Sequence, residues 1–234
     1  MATALVIEHE KDADLAWLGE WFEDAGLTVE VVRPFAGETV PAEVTHDALV
    51  VLGGSMGAYD DVKYTWLTDT KALLRAYVGA EVPCLGVCLG HQLLTVACGG
   101  EVQRNPDGRQ RGALAVGFQR EAAEDPLFGP LPTGTHAVQW NGDVVTALPP
   151  GAVLLAESAD GHPQAARVGP KAWSIQFHPE AGAEKAEVWA KLESRGADHD
   201  DATRDALATV REHEDEMRQT WSAFAGRFAT LAGA

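Results

Sequence analysis

Apolar residues recur along this chain in two rhythms. Short unbroken apolar runs occupy residues 3–7, 47–52 and 83–87, and a β-branched run occupies 27–32. Runs of this length, bounded by polar or turn residues, predict strands buried on both faces. Between them the spacing becomes helical. Leu15, Trp17, Leu18, Trp21 and Phe22 share a face before Gly26 stops the pattern, and further helices are expected at 66–78 and 89–97. Strands alternating with helices predict an α/β fold: an open, mostly parallel central sheet with helices on both faces.

Residues 99–151 break this rhythm into strand-like and turn-like pieces, with turn signals at Asn105-Pro106-Asp107-Gly108 and Leu148-Pro149-Pro150-Gly151. Strands are expected again at 153–157, 165–168 and 172–177. From 183 onward the pattern is helical, interrupted by a polar loop at 195–201. Leu207, Val210, Met217, Trp221, Phe224, Phe228 and Leu231 follow at three-, four- and seven-residue steps. These patterns divide the chain into a main domain over residues 1–182 and a helical C-terminal extension, 183–234, packed on it. The sharper use of the apolar stripe is as a docking face for another protein.

Charge and cysteine usage narrow the class. With 35 acidic against 18 basic residues, the formal net charge is −17. Such a surface repels phosphate backbones and anionic lipid heads, so neither nucleic acid nor membrane is expected as a partner. The N-terminal apolar stretch is too short for a signal peptide and has no basic residues before it. Three cysteines, Cys84, Cys88 and Cys98, form no disulfide framework and no zinc-type spacing. Reduced thiols and no leader point to the cytoplasm, with no metal and no cofactor expected.

One cysteine differs from the others in context. In Cys84-Leu85-Gly86-Val87-Cys88-Leu89-Gly90-His91-Gln92 an apolar strand runs into Gly-x-Cys-x-Gly and a helix begins at once. This is the nucleophile-elbow pattern, with cysteine at the position of the nucleophile. The glycines remove side chains where strand and helix nearly collide. A helix N-terminus favours a thiolate, and the Leu89 N–H points where an oxyanion would form. Cys84, inside a strand, and Cys98, at a helix end, read as packing residues.

A cysteine nucleophile needs a base, and the base needs an orienting partner. Ser174-Ile175-Gln176-Phe177-His178-Pro179-Glu180 supplies both: an apolar strand ends at His178, and Glu180 lies two residues on. Cys88 and His178 both follow strands, so both fall at the C-terminal edge of a parallel sheet, where sites gather. Of the eight histidines, His9, His46, His136, His162, His199 and His213 have no chemical neighbourhood in the sequence, and His91, in the first helical turn, reads as a packing or hydrogen-bonding residue.

Gly-Val-Cys-Leu-Gly-His-Gln together with Gln-Phe-His-Pro-Glu resembles the paired signature of the class I, or triad-type, glutamine amidotransferases. Leu52-Gly53-Gly54-Ser55-Met56, after a strand, is similar to that family's oxyanion loop, which usually reads Gly-Gly-Pro. The likeness covers about residues 3–182 in the right order, and extends to stand-alone members related to the amidotransferase domain of GMP synthetase. It implies a flavodoxin-like fold and L-glutamine as substrate. By the same resemblance Cys88 is the nucleophile that forms a γ-glutamyl thioester, His178 the base, and Glu180 its orienter. The N–H groups of Gly54 and Leu89 form the oxyanion hole, and Gly53, Ser55 and Gln92 seat the substrate.

Family enzymes pass their ammonia to a synthetase domain or subunit. The chain carries no Gly-x-x-x-x-Gly-Lys-Ser/Thr phosphate loop, so a separate acceptor-activating partner is implied. Three positions depart from the family pattern: Ser55 for proline, Asn141 where close relatives carry histidine, and Ala113 where tryptophan often stands. The last two are expected at substrate-side or partner-side contacts. A second function fits the same residues, hydrolysis of another γ-glutamyl compound such as a γ-glutamyl amine; a third, a non-catalytic binding or regulatory subunit on the same fold, is disfavoured by the intact Cys88, His178 and Glu180. The His-Pro-Glu sequel disfavours a cysteine peptidase or chaperone-like relative.

Overall fold

The computed structural model describes residues 1–234. Its first half alternates as expected: β1 (Thr3–Ile7), α1 (Trp17–Asp24), β2 (Thr28–Val32), β3 (Ala48–Val51), α2 (Trp66–Gly79), β4 (Cys84–Val87) and α3 (Leu89–Ala97). Then come β5 (Glu101–Arg104), β6 (Gln110–Ala115), β7 (Gly117–Phe118), β8 (His136–Asn141) and β9 (Asp143–Ala147). The chain closes with β10 (Val153–Glu157), β11 (Pro163–Val168), β12 (Ala172–Ile175), α4 (Ala183–Glu193) and α5 (Asp201–Leu231).

Eight strands form the main sheet, in the order β2-β1-β3-β4-β12-β11-β10-β7. From β2 to β12 all neighbours pair in parallel, while β11, β10 and β7 continue antiparallel. Both faces of β1, β3, β4 and β12 are buried, which is why these strands read as nearly continuous apolar runs, whereas β2, at the edge, leaves Thr28 and Glu30 exposed. Ala4 and Val6 of β1 and Ala48 and Val50 of β3 face one core with α1, α4 and α5. Leu5, Ile7, Leu49 and Val51 face the other, with α2 and α3. Each Val, Leu or Ile among them contributes about 1.5–3 kcal/mol on burial.

The parallel pairing fixes where the chemistry gathers. β4 lies between β3 and β12, with Val51 beside Gly86 and Ile175 beside Val87. The loops after these three strands therefore emerge side by side at one edge of the sheet. They carry Gly53–Ser55, Cys88 and His178.

The broken region 99–151 holds five short strands that the apolar pattern does not assign. β5 pairs with β9 and β6 with β8 as separate two-stranded ribbons, and β7 closes one edge of the main sheet. The C-terminal helices are part of the packed body. The Asp200 side chain accepts from the Thr203 N–H at 2.8 Å and caps α5. Leu207, Val210, Met217, Trp221, Phe224 and Phe228 are all buried in the same core as α1. The stripe on α5 is thus occupied within the chain and is not a free docking face, contrary to the sharper use its spacing suggests. No helix is long and apolar enough to cross a membrane.

Candidate active site

Cys88 sits between β4 and α3 with φ 52° and ψ −104°, a strained conformation for a residue with a side chain. Its own N–H donates to the Ile175 carbonyl of β12 at 2.8 Å, which anchors the turn. Two glycines make the turn possible. A Cβ on Gly90 would collide with the Val51 carbonyl oxygen, and one on Gly86 would press on the Gly90 carbonyl. Cys88 is 7% exposed.

His178 follows β12. Its N–H donates to the Val138 carbonyl of β8 at 2.8 Å, holding the backbone where the main sheet has ended. Its Nδ1 lies 2.7 Å from Glu180 Oε1, and both side chains are buried. A carboxylate only accepts, so Nδ1 carries a proton and Nε2 is the nitrogen left for chemistry. Burial alone would push this imidazole down, but the Glu180 carboxylate and the Cys88 sulfur facing it raise it to about 10. The ring is held as a proton store beside the sulfur. Glu180 is fixed in turn by its carbonyl, which accepts from the Trp17 N–H at 3.2 Å.

The glycine loop after β3 lies against this pair. A Cβ on Gly53 would sit 3.2 Å from His178 Cε1 and 3.6 Å from Cys88 Cβ, so the loop's approach depends on the missing side chain. The N–H groups of Gly53, Gly54 and Ser55 donate to no other group of the protein. Leu89 opens α3, so its N–H has no acceptor within the helix. Ser55, in place of the family's proline, donates its hydroxyl to Glu10 Oε2 at 2.6 Å and ties the loop to the segment after β1.

Cys88, His178, Gly54 and Ser55 open into a cavity of about 440 Å³. Its other walls are Trp140 of β8, beside Asn141, and residues outside the sequence motifs: Glu10 and Asp12 after β1, and Trp189, Leu192 and Glu193 of α4. The Trp189 ring lies 4.5 Å from the His178 ring, and its Nε1 donates to the Asp12 carbonyl at 2.9 Å. Glu193 accepts from Arg111 Nη2 at 2.7 Å and also from Arg109. Glu10 and Asp12 follow a parallel strand, so the strand-edge rule that located Cys88 extends to them. Nothing local in the sequence marks α4 as a cavity wall.

Three other positions fall elsewhere. Gln92 is buried beside the elbow and is not a cavity wall; its amide nitrogen donates to the Asp143 carbonyl at 3.2 Å and to Gln176 Oε1 at 3.1 Å. Asn141 belongs to the same buried polar layer, donating to Gln110 Oε1 and the Asp143 carbonyl, both at 3.1 Å. Ala113 lies under α5, its N–H donating to Thr209 Oγ1 at 3.0 Å. Asn141 and Ala113 are therefore not substrate-side or exposed partner-side positions: one completes an internal amide network, and the other leaves room for a helix. His91 is likewise internal, its Nδ1 2.8 Å from Ser174 Oγ, and burial pushes it down to about 4. Burial pushes the Cys84 thiol up, which leaves it unreactive.

A nucleophile on a strained elbow, a buried imidazole–carboxylate pair and unpartnered N–H groups can together attack a carbonyl, hold the oxyanion and protonate a leaving amine. The family model for glutamine amidotransferase class-I matches residues 15–189, and the chain belongs to that family, whose general reaction is glutamine hydrolysis. It is 33% identical over 156 residues to one of the subunits of the glutamine-hydrolysing GMP synthase of Halobacterium salinarum, covering 66% of this chain and 76% of that one. It is 34% identical over 135 residues to the GMP synthase of Thermotoga maritima, covering 57% of this chain but only 24% of that protein. A crystal structure of a glutamine amidotransferase from Thermotoga maritima superposes with a TM-score of 0.84 at 27% identity, covering 97% of this chain and 98% of the other.

Proposed function

We propose that this chain hydrolyses the side-chain amide of L-glutamine through a γ-glutamyl thioester on Cys88, and that the ammonia passes to an acceptor-activating partner. The observation that carries the reading is His178, paired with the buried Glu180 and opening into the same cavity as Cys88 on its elbow. The thiolate attacks the amide carbon, and the N–H groups of Gly54 and Leu89 receive the negative oxygen. One such donor typically contributes about 3 kcal/mol to lowering the barrier. The tetrahedral species collapses as the imidazolium gives its proton to the departing nitrogen, releasing ammonia. His178 then takes a proton from water, hydroxide attacks the thioester, and glutamate leaves with the thiolate restored.

Glu10 and Asp12 give the cavity an acidic edge that suits the substrate's α-ammonium group, while Glu193 is already paired with Arg109 and Arg111. Gln92 acts from behind, through its bond to Gln176 next to His178's strand. The Halobacterium relative is one subunit of GMP synthase, which supports a separate synthetase as partner. Mass spectrometry of protein quenched during turnover tests the intermediate. A γ-glutamyl adduct on the Cys88 peptide is expected; an adduct elsewhere, or none during confirmed turnover, overturns it.

The same acidic edge, with Trp140 and Trp189 beside it, favours a second reading: a γ-glutamyl amine whose leaving group carries a positive charge. The ratio of kcat/KM for L-glutamine and for a panel of γ-glutamyl amines separates the two.

A further inference from the structure

Two histidines with no chemical neighbourhood in the sequence meet on the side of the molecule where α5 crosses β8. His136 opens β8, and His213 and Glu216 lie three residues apart on α5, so they share a helix face. The two imidazole rings are 3.9 Å apart at 40°. His136 Nδ1 is 3.1 Å from Glu216 Oε2, although the residues stand 80 positions apart in the chain. His213 Nδ1 lies 3.0 Å from the Thr209 carbonyl oxygen. A carbonyl only accepts, so that nitrogen carries the proton and His213 Nε2 keeps its lone pair.

We propose that His136, His213 and Glu216 form a binding site for a divalent transition-metal ion of the zinc type. One ligand atom from each residue lies within 4.8 Å of the others; the two histidines are half-buried and Glu216 is more exposed. Zinc bound at about 2.0–2.2 Å sets tetrahedral ligand atoms about 3.3 Å apart, and the His136–Glu216 spacing of 3.1 Å is already close to that. The ligand set would be Nδ1 of His136, Nε2 of His213 and the Glu216 carboxylate, with water in the fourth position. The Thr209 carbonyl fixes the tautomer of His213, the usual supporting role behind a metal-bound imidazole. The ion takes the place of the proton on His136 Nδ1, which moves to Nε2 or, from a doubly protonated ring, to solvent. The chain's strong negative charge favours cation uptake.

The location gives the site a consequence. Trp221 Nε1 of α5 donates to the His136 carbonyl at 2.9 Å. Two residues along β8, the Val138 carbonyl accepts from the His178 N–H. An ion here fastens α5 to the strand that supports the catalytic histidine.

The test is zinc binding to the whole chain carrying Cys88→Ser, because the Cys88–His178 pair would bind zinc itself. At micromolar zinc a specific equivalent should bind, Tm should rise, and cobalt should give the visible absorption of a tetrahedral site. In Cys88→Ser/His213→Gln the stoichiometry should fall by one and the rise in Tm disappear, with the circular dichroism spectrum unchanged. Should that variant fail to fold, Cys88→Ser/Glu216→Gln, altered at the more exposed ligand, should bind at least tenfold more weakly. No zinc bound by the parent, or equal binding by the ligand variants, overturns the proposal.

Discussion

Replacing Glu180 by Gln removes one charge from the triad with little change of shape. In the native chain Glu180 Oε1 is 2.7 Å from His178 Nδ1 and both side chains are buried. Opposite unit charges whose centres lie about 4 Å apart, at an effective dielectric constant of about 20, attract by about 4 kcal/mol. That equals about 3 pK units on the imidazole. His178, held at about 10, should therefore fall to about 7 or below, because burial opposes its protonated form. In the proposed mechanism the protonated ring expels ammonia, so the alkaline limb of the kcat/KM profile for glutamate release should move down by about 3 units. At pH 8 titration alone would then lower the rate about tenfold. A glutamine side chain can also offer its NH₂ to Nδ1 and select the wrong tautomer, a loss of up to about 10⁴-fold. The assay is glutamate release from pH 6 to 10.5, with His178 followed by NMR in labelled protein. An unshifted alkaline limb and an unchanged rate would refute the role given to Glu180.

Other expected outcomes follow from the same structure. Gly90→Ala drives a methyl group into the Val51 carbonyl oxygen and should destabilise the chain by about 3 kcal/mol or more, read from urea unfolding. Trp221→Ala empties a fully buried site against Phe177, the residue before His178, and should cost about 3–5 kcal/mol in the same assay. Asp125→Asn weakens a buried carboxylate that accepts from Arg167 Nε at 2.7 Å and Trp173 Nε1 at 3.0 Å. Leaving Arg167 without its counter-charge should cost about 3 kcal/mol, and a loss below 1 kcal/mol would mean that solvent compensates it. Stability should also fall with acid. Burial pushes His9 and His91 down to about 4. The unfolded chain takes up these protons below about 6.5, whereas the folded chain resists until about 4. Their contribution is thus complete above pH 6.5 and is lost as the pH falls towards 4, by about 3 kcal/mol per histidine. His9→Asn keeps an acceptor for Trp66 Nε1 and should remove about half of that loss between urea midpoints at pH 7 and pH 4.

The parallel half of the sheet was legible because its information is local. Leu5 and Ile7 face one core and Ala4 and Val6 the other, and a strand so placed must be apolar throughout. The elbow was legible in part for the same reason, since Gly86 must clear the Gly90 carbonyl within the same turn, although Gly90 itself answers to Val51 on the neighbouring strand. Residues 99–151 resisted because their strands are completed by distant partners: β5 by β9, and β6 by β8. Helical spacing announced the stripe on α5 but not its target, and only the fold shows that the target is the core around Phe177 and Phe22. The cavity walls from α4, and the meeting of His136 with His213, depend on where α4 and α5 pack. No spacing within either segment encodes that.

The central claim is that this chain releases glutamate from L-glutamine through Cys88, and the direct measurement is that release by the purified protein beside its Cys88→Ala variant. The account predicts turnover by the native chain and none by the variant, with both equally folded. Equal release by the two proteins would contradict the mechanism. Release from γ-glutamyl amines but not from L-glutamine, still dependent on Cys88, would keep the triad and replace the substrate.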